Sequence, residues 1–334
     1  MELRILDLFS GIGGFSYALT SIGKTVAYCE VDNDCKIVIN SNIKKGYLSD
    51  AVIFDNVETL HGCDVESLKP NIITAGFPCT DISIANIHGK GLKGNKSGLF
   101  KHIIRLIDEI PSIDYVFLEN SYMIKRRGLT TIKKEFTKRG FSMRWCVFSA
   151  SDIGALHRRK RWYCLCYKNS TLEHLNQIDE KYIVFKWKAT PMNRVIKYES
   201  KHKRRCKLLG NSVVPQCLMI AWNMLLENAK KTKTLQREVY IQPAHSAIDL
   251  GLVMTDGLKM FTKKLWATPT YHTWCIFSRI TGSRCRTLLP MQLYYERNTK
   301  VPGDKTKLNK EYTCNPRFVE HLMGYPKDWT HGLL

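Results

Sequence analysis

Residues 3–15 read LRILDLFSGIGGF: an apolar run carrying one acid, Asp7, and then a turn holding Gly11, Gly13 and Gly14. An apolar run of this length that ends in glycines and re-enters an amphipathic stretch opens a strand–turn–helix unit. Glycines in such a turn let the backbone approach a ligand while the next helix presents its N-terminus. The same alternation continues outward. TVAYCE (25–30) predicts a second strand, with a helix from Asp32; NIITAGF (71–77) predicts a third strand. LFKHIIRLIDEI (99–110) predicts an amphipathic helix, its apolar side chains at 99, 103, 106, 107 and 110. YVFLEN (115–120) predicts a fourth strand, TIKKEFTKRG (131–140) a helix capped at Gly140, and MRWCVFSA and RWYCLCY two later strands. Strand–helix alternation with apolar strands predicts an α/β fold built on a doubly wound, mostly parallel sheet. Ligands of such sheets bind at the carboxyl ends of the strands, where Phe9, Glu30, Cys79 and Glu119 fall.

The charge balance is the unusual bulk property. Lys and Arg number 51 against 30 Asp and Glu, a net charge of +21. That excess points to a polyanionic partner, because each phosphate neutralised releases condensed counterions. The N-terminal MELRILDLFSGIGG lacks the basic flank and uninterrupted apolar stretch of a secretory signal. VVPQCLMIAWNMLL is the longest apolar candidate and falls short of the roughly 18 residues that span a bilayer. An intracellular location is expected, in cytoplasm or nucleus. The 12 cysteines include no C-x-x-C pair, so reduced thiols and no metal centre are expected. Cys164 and Cys166 alternate on one strand face and read as packing.

Residues 167–209 are polar, basic and weakly periodic, and VVPQCLMIAWNMLLENAKK forms one more helix. Beyond it Thr, Arg and aromatic residues predominate. The expected division is a catalytic and cofactor-binding domain over 1–230 and a smaller irregular module over 231–334.

Several constellations carry chemistry. Gly11-x-Gly13-Gly14 is not the dinucleotide pattern G-x-G-x-x-G, while Glu30 follows at the distance where an acid holds ribose hydroxyls. An adenosine cofactor without a pyrophosphate fits better than a dinucleotide; a tight turn with a surface acid is the alternative. In AGFPCTDIS (75–83), Cys79 alone would read as a small buried hydrophobe. At a strand end, before a segment with glycines at 89, 91, 94 and 98, it reads instead as an accessible thiol beneath a loop able to close. Glu119-Asn120 ends a strand, where a partly desolvated carboxyl can donate a proton to a ring nitrogen. In HRRKRW (157–162), strand alternation projects Arg159 and Arg161 the same way, suited to phosphate or base edges.

In this order the motifs resemble the DNA (cytosine-5) methyltransferase family. DLFSGIGGF resembles its S-adenosylmethionine loop, GFPCTDIS its catalytic loop, LEN its Glu-Asn motif, HRRKRW its Gln-Arg-x-Arg motif and LGNSVVPQ its Gly-Asn-Ser motif. The likeness spans 3–216, and NPRFVEHLMGYPKDWT (315–330) adds a further family-like stretch. The resemblance implies a Rossmann-like S-adenosylmethionine-dependent methyltransferase sheet, S-adenosylhomocysteine as product, and methylation at C5 of a cytosine flipped out of duplex DNA. It implies Cys79 as nucleophile, aimed by Pro78, with Glu119 at N3, Asn120 bracing the Pro78 turn, and Arg159 and Arg161 on the flipped nucleotide. For the donor it implies the loop Phe9, Ser10, Gly11, Gly13 and Gly14, then Glu30 and Val31, Asp55 and Asn56, and Asn211 and Ser212. Ser83, Arg284, Arg286, Gln292 and Arg297 are candidate DNA contacts. A monomer is expected, with a cognate restriction endonuclease as a candidate partner.

The chain departs from the pattern in three places. His157 stands where the family has Gln, and Ser121 where it has Val. The interval 162–209, where relatives keep target recognition, is short, so recognition is expected in 231–334. Two alternatives stay open: a tRNA cytosine-C5 methyltransferase, although the Cys-Phe-Thr string of that branch is absent, and a catalytically silent DNA-binding subunit.

Overall fold

The computed structural model describes residues 2–78, 97–155, 157–178, 195–197, 201–231, 238–241 and 312–333. Cys79, Ser83, Arg284, Arg286, Gln292 and Arg297 lie outside the described residues.

The opening strand β1 (Leu3–Leu8) turns through the glycines into α1 (Gly14–Leu19). Gly11 and Gly13 have φ of 56° and 82°, a region that side chains with a Cβ rarely enter, which is why this turn needs glycine. The alternation continues with β2 (Gly23–Cys29), α2 (Asn33–Lys44), β3 (Val52–Phe54), α3 (Gly62–Val65), β4 (Ile72–Ala75), α4 (Phe100–Glu109) and β5 (Tyr115–Ser121). Then follow α5 (Ile124–Arg127), α6 (Leu129–Lys138), β6 (Phe141–Ser149), β7 (Lys160–Lys168), α7 (Leu172–Leu175) and β8 (Val195–Lys197). The chain finishes with α8 (His202–Asn211), α9 (Pro215–Lys231), β9 (Glu238–Tyr240), β10 (Tyr312–Cys314) and α10 (Pro316–Leu322).

Eight strands form one sheet in the order β3-β2-β1-β4-β5-β7-β6-β9, and β8 pairs with β10 in a separate ribbon. β7 runs antiparallel to both β5 and β6; the other neighbours in the large sheet are parallel. The expected doubly wound, mostly parallel sheet is therefore observed. Its strand order reverses between β1 and β4, the crevice where open α/β sheets bind ligands.

One apolar cluster covers the face packed by α1, α2, α8, α9 and α10; the other lies under α3, α4 and α6. Every residue of β5 is buried, as a central strand covered on both faces requires. Cys164 and Cys166 are fully buried, with sulfurs 3.6 Å apart. The helical stretch 202–231 is apolar enough to resemble a membrane span, yet 83% of its apolar window is buried inside the protein.

Two elements differ from the sequence reading. β3 is only three residues long at the sheet edge, too short to signal itself. KHKRRCK belongs not to an irregular polar stretch but to α8, whose Arg205, Cys206, Leu208 and Leu209 are buried. The C-terminal segment is the larger finding. Phe318, Val319, Leu322, Met323, Tyr325 and Trp329 pack in the same core as α1 and α9, so 315–333 is continuous with the sheet domain.

Candidate active site at the β1/β4 crevice

The glycine turn is tied down from several sides. Ser10 donates its hydroxyl to the Asp7 carbonyl at 2.6 Å, and its backbone N–H reaches the Cys29 carbonyl at 3.1 Å. Phe9 is held at φ 53°, an uncommon state for a residue with a side chain and one that clusters at functional sites. Gly14 has no room for a side chain: a Cβ would lie 2.4 Å from both the Tyr325 hydroxyl and a Val213 methyl.

Glu30 follows β2 and is buried. Its carboxylate accepts the Gly11 N–H at 2.7 Å and the Asp32 N–H at 2.8 Å. Burial raises its pKa, opposed by those two backbone donors. Beside it Val31 is 72% exposed, an apolar surface of the kind a planar ligand covers. Asp55 is 81% exposed and pairs with Lys36 at 2.5 Å, while the Asn56 side chain accepts the Glu58 N–H. A carboxylate fixed by backbone donors beside an exposed apolar residue and a glycine turn suits a nucleoside. These residues fit S-adenosylmethionine.

Beneath the loop lies a buried polar knot. Asp7 accepts the Ser16 hydroxyl at 2.7 Å and the Thr74 hydroxyl at 2.8 Å, and Thr25 donates to Ser16 at 2.8 Å. Burial pushes the Asp7 carboxyl up to about 7, against the pull of its two hydroxyl donors.

On the other side of the crevice, β4 leads into Gly76-Phe77-Pro78. Asn120 donates its amide to the Phe77 carbonyl at 3.1 Å and accepts the Ser121 N–H at 2.8 Å. The end of β5 is thus bonded to the turn that enters Cys79. Glu119, 7% exposed, faces the same turn: a Cβ on Gly76 would lie 3.7 Å from its carboxylate. Arg161 Nε meets Glu119 Oε1 at 3.0 Å.

The two arginines of HRRKRW do different work. Arg161 pairs with Glu119, whereas Arg159 is buried and donates to the Gly210 and Ser212 carbonyls at 3.1 and 2.5 Å. Burial, helped by the Arg161 charge, pushes the Arg159 guanidinium down to about 10, still cationic at neutral pH. His157 is fully buried, and burial with the two arginine charges pushes it down to about 3, so its ring is neutral. Ser212 donates its hydroxyl to the Leu209 carbonyl at 2.7 Å, and Asn211 is exposed at the α8 end.

The structure thus brings Phe9, Ser10, Gly11, Gly13, Gly14, Glu30 and Val31 together at one side of the crevice, and Pro78, Glu119, Asn120 and Arg161 at the other. Sequence reasoning missed the residues behind this site: Asp7, Arg205, Glu320, Tyr325 and Trp329. For the last four the partner lies more than a hundred residues away, and no local pattern signals it.

The model of the family described as C-5 cytosine-specific DNA methylase matches residues 3–332. The type II methyltransferase M.CviJI of Paramecium bursaria Chlorella virus IL3A is 33% identical over 228 residues, covering 67% of this chain and 60% of that protein. M.HhaI of Haemophilus parahaemolyticus is 32% identical over 173 residues, half of each chain. A tRNA (cytosine(38)-C(5))-methyltransferase of Spodoptera frugiperda is 25% identical, with 54% of each chain covered. The matched regions span about half the length of these relatives. With the family model covering nearly all of its length, the chain belongs to the C-5 cytosine-specific DNA methylase family.

Proposed function

We propose that this protein transfers a methyl group from S-adenosylmethionine to C5 of a cytosine flipped out of duplex DNA, through a covalent adduct between Cys79 and C6. The observation that carries the reading is the Asn120–Phe77 bond at 3.1 Å beside the Glu119–Arg161 pair at 3.0 Å. It links a carboxylic acid, its cation and the Phe-Pro turn leading to the thiol into one rigid unit.

Cytosine C5 is too weak a nucleophile to be methylated directly. Addition of the Cys79 thiolate to C6 makes the ring an enamine, with Glu119 protonating or hydrogen-bonding N3 to hold the adduct. The donor supplies an electrophilic methyl on its sulfonium. C5 would take that methyl as the C–S bond breaks and S-adenosylhomocysteine leaves; loss of the C5 proton to solvent would then expel the Cys79 thiolate and restore the aromatic ring. Glu30 would orient the donor's ribose, and Phe9 with Val31 would enclose its adenine. Arg161 holds Glu119 in place for N3, while Arg159 ties the Gly210–Ser212 turn to the base side.

The higher identity to type II DNA methyltransferases than to the tRNA enzyme favours DNA, and the net charge of +21 suits a nucleic acid of either kind. That identity also favours a role beside a restriction endonuclease. Transfer of labelled methyl to duplex DNA and to tRNA separates the two substrates. Label on tRNA alone would reject the DNA reading, and transfer undiminished in Cys79→Ala would reject the adduct. Target recognition is proposed for the stretch between β9 and β10. Replacing 242–311 by a short Gly-Ser linker should abolish sequence preference, and preserved preference would place recognition elsewhere.

A further inference from the structure

The site described above draws its residues from the first 212 positions, yet the family-like stretch at 315–330 touches both halves of the donor side. Trp329, fully buried, donates its indole N–H to the Ile12 carbonyl inside the glycine turn at 2.9 Å. Tyr325 donates its hydroxyl to the Val213 carbonyl at 3.1 Å, directly after Asn211-Ser212. The same hydroxyl stands against Gly14, closer than any Cβ there would permit. Gln216 donates to the Gly324 carbonyl at 2.6 Å, and Asn42 to the Trp329 carbonyl at 2.9 Å. The rings of Tyr325 and Trp329 lie 5.1 Å apart, and Tyr17 packs on both. Burial raises the Tyr325 phenol, so it remains a donor at every working pH.

We propose that Tyr325 and Trp329 are positioning residues for the methyl donor: together they set the spacing between the 9–14 turn and the 211–213 turn that would enclose it. This rests on the donor reading given above. Neither side chain need touch the donor. The indole N–H satisfies a carbonyl of the glycine turn, and the phenol spans from that turn to the later one. A turn whose glycines sit at positive φ has several backbone states open to it, and these two donors select one. The selection matters to a ligand that contacts both turns at once, because a binding-competent state that is only partly populated weakens affinity by that fraction.

The test uses full-length Tyr325→Phe, which removes one donor and a single atom, and Trp329→Phe, which removes one donor together with part of a buried ring, with Lys45→Met as control. Lys45 bonds the Asp328 carbonyl at 2.8 Å at an exposed position of the same segment. Binding of S-adenosylmethionine and of S-adenosylhomocysteine is measured by calorimetry, with melting temperature recorded for each variant. Each Phe variant should bind both ligands about five- to tenfold more weakly, the worth of one lost hydrogen bond, while Lys45→Met binds as wild type does. In turnover the loss should appear in KM for the donor with kcat nearly kept. Unchanged affinity in both Phe variants alongside lowered melting temperatures would reduce the segment to a structural prop and overturn the inference. Should Trp329→Phe fail to fold, Tyr325→Phe, which deletes a single oxygen, decides alone. Absence of binding by the wild-type protein would overturn the donor reading itself, a result distinct from a wild type that binds and variants that bind equally well.

Discussion

Replacing Glu320 by Gln tests whether the C-terminal segment is part of the catalytic core. Glu320 is fully buried and accepts four hydrogen bonds: from Thr330 Oγ1 at 2.6 Å, Thr330 N at 2.9 Å, Asp328 N at 2.8 Å and Arg205 at 3.2 Å. Arg205, 3% exposed on α8, also donates to Thr330 Oγ1 at 2.8 Å. Gln keeps the shape of the side chain but removes its charge, and one arm of the amide would turn a donor toward a donor. The Arg205 guanidinium then sits in the core without a counterion. Losing one partner of a buried ion pair costs about 3–5 kcal/mol, a large part of the roughly 5–15 kcal/mol that holds a domain folded.

Urea unfolding of wild type and variant, followed by tryptophan fluorescence, measures the cost directly. Arg317–Asp328 is the internal contrast, a pair at 2.6 Å in the same segment with side chains 45% and 29% exposed. Its removal by Arg317→Ala should cost at most about 1 kcal/mol, because solvent screens it. Adding Arg205→Met to Glu320→Gln should recover part of that loss, since it removes the stranded charge while the Gln carbonyl still accepts from Thr330. A Glu320→Gln cost below about 1 kcal/mol, equal to that of Arg317→Ala, would refute the burial reasoning and detach 315–333 from the core.

Three further outcomes follow from the site. The native Asp7 carboxyl titrates near 7, against 3.8 for the ordinary group, so between those values the folded state holds a proton that the unfolded chain has released. Stability should fall as pH rises through that window, by up to about 4 kcal/mol, and level off above it. Asp7→Asn should flatten the fall, and an unaltered pH profile from urea melts would remove Asp7 from its cause. Arg159→Lys cannot fork between the Gly210 and Ser212 carbonyls and should lower stability by about 2 kcal/mol, checked by the same melts. Lys125, seated 5.3 Å over the Trp145 ring, and exposed Arg126 follow the β5 end that carries Glu119. If both meet phosphates, neutralising them should reduce the slope of log affinity for duplex DNA against log salt by about 2, and an unchanged slope would place the DNA elsewhere.

What was legible in the sequence is what local physics decides. Gly11 and Gly13 announce their turn because positive φ selects glycine at that position whatever surrounds it. β5 announces itself because a strand buried on both faces must be apolar throughout until Glu119. β3 does not, since three residues at an edge carry no period. α8 is the instructive miss. KHKRRCK has the composition of a solvated basic stretch, and Lys201, Lys203 and Lys207 in it are not buried. Arg205 is, and only because Glu320 waits for it from 115 positions further along the chain. A buried cation is affordable when its partner is present, and sequence composition cannot show the partner.

The same argument bears on the change of pattern after residue 231. The shift in composition there is real, but a shift in composition marks where local character changes, not where a core ends. Trp329 closes a bond to Ile12 across 317 positions, and Asn42 closes one to Trp329 across 287. β9 pairs with β6 inside the large sheet before the chain leaves it, and β10 pairs with β8 on its return. The described residues on either side of 242–311 are thus paired within the fold, so the segment from 312 is no detached tail. Cutting the chain at 230 would remove the counterion of Arg205 and the indole that satisfies Ile12 together with any recognition surface. Loss of methylation in such a fragment would report a damaged donor site as readily as a lost recognition module. Excising 242–311 while keeping 312–333 leaves the Trp329 and Glu320 bonds in place, so it is the change that separates the proposed recognition stretch from the proposed donor side.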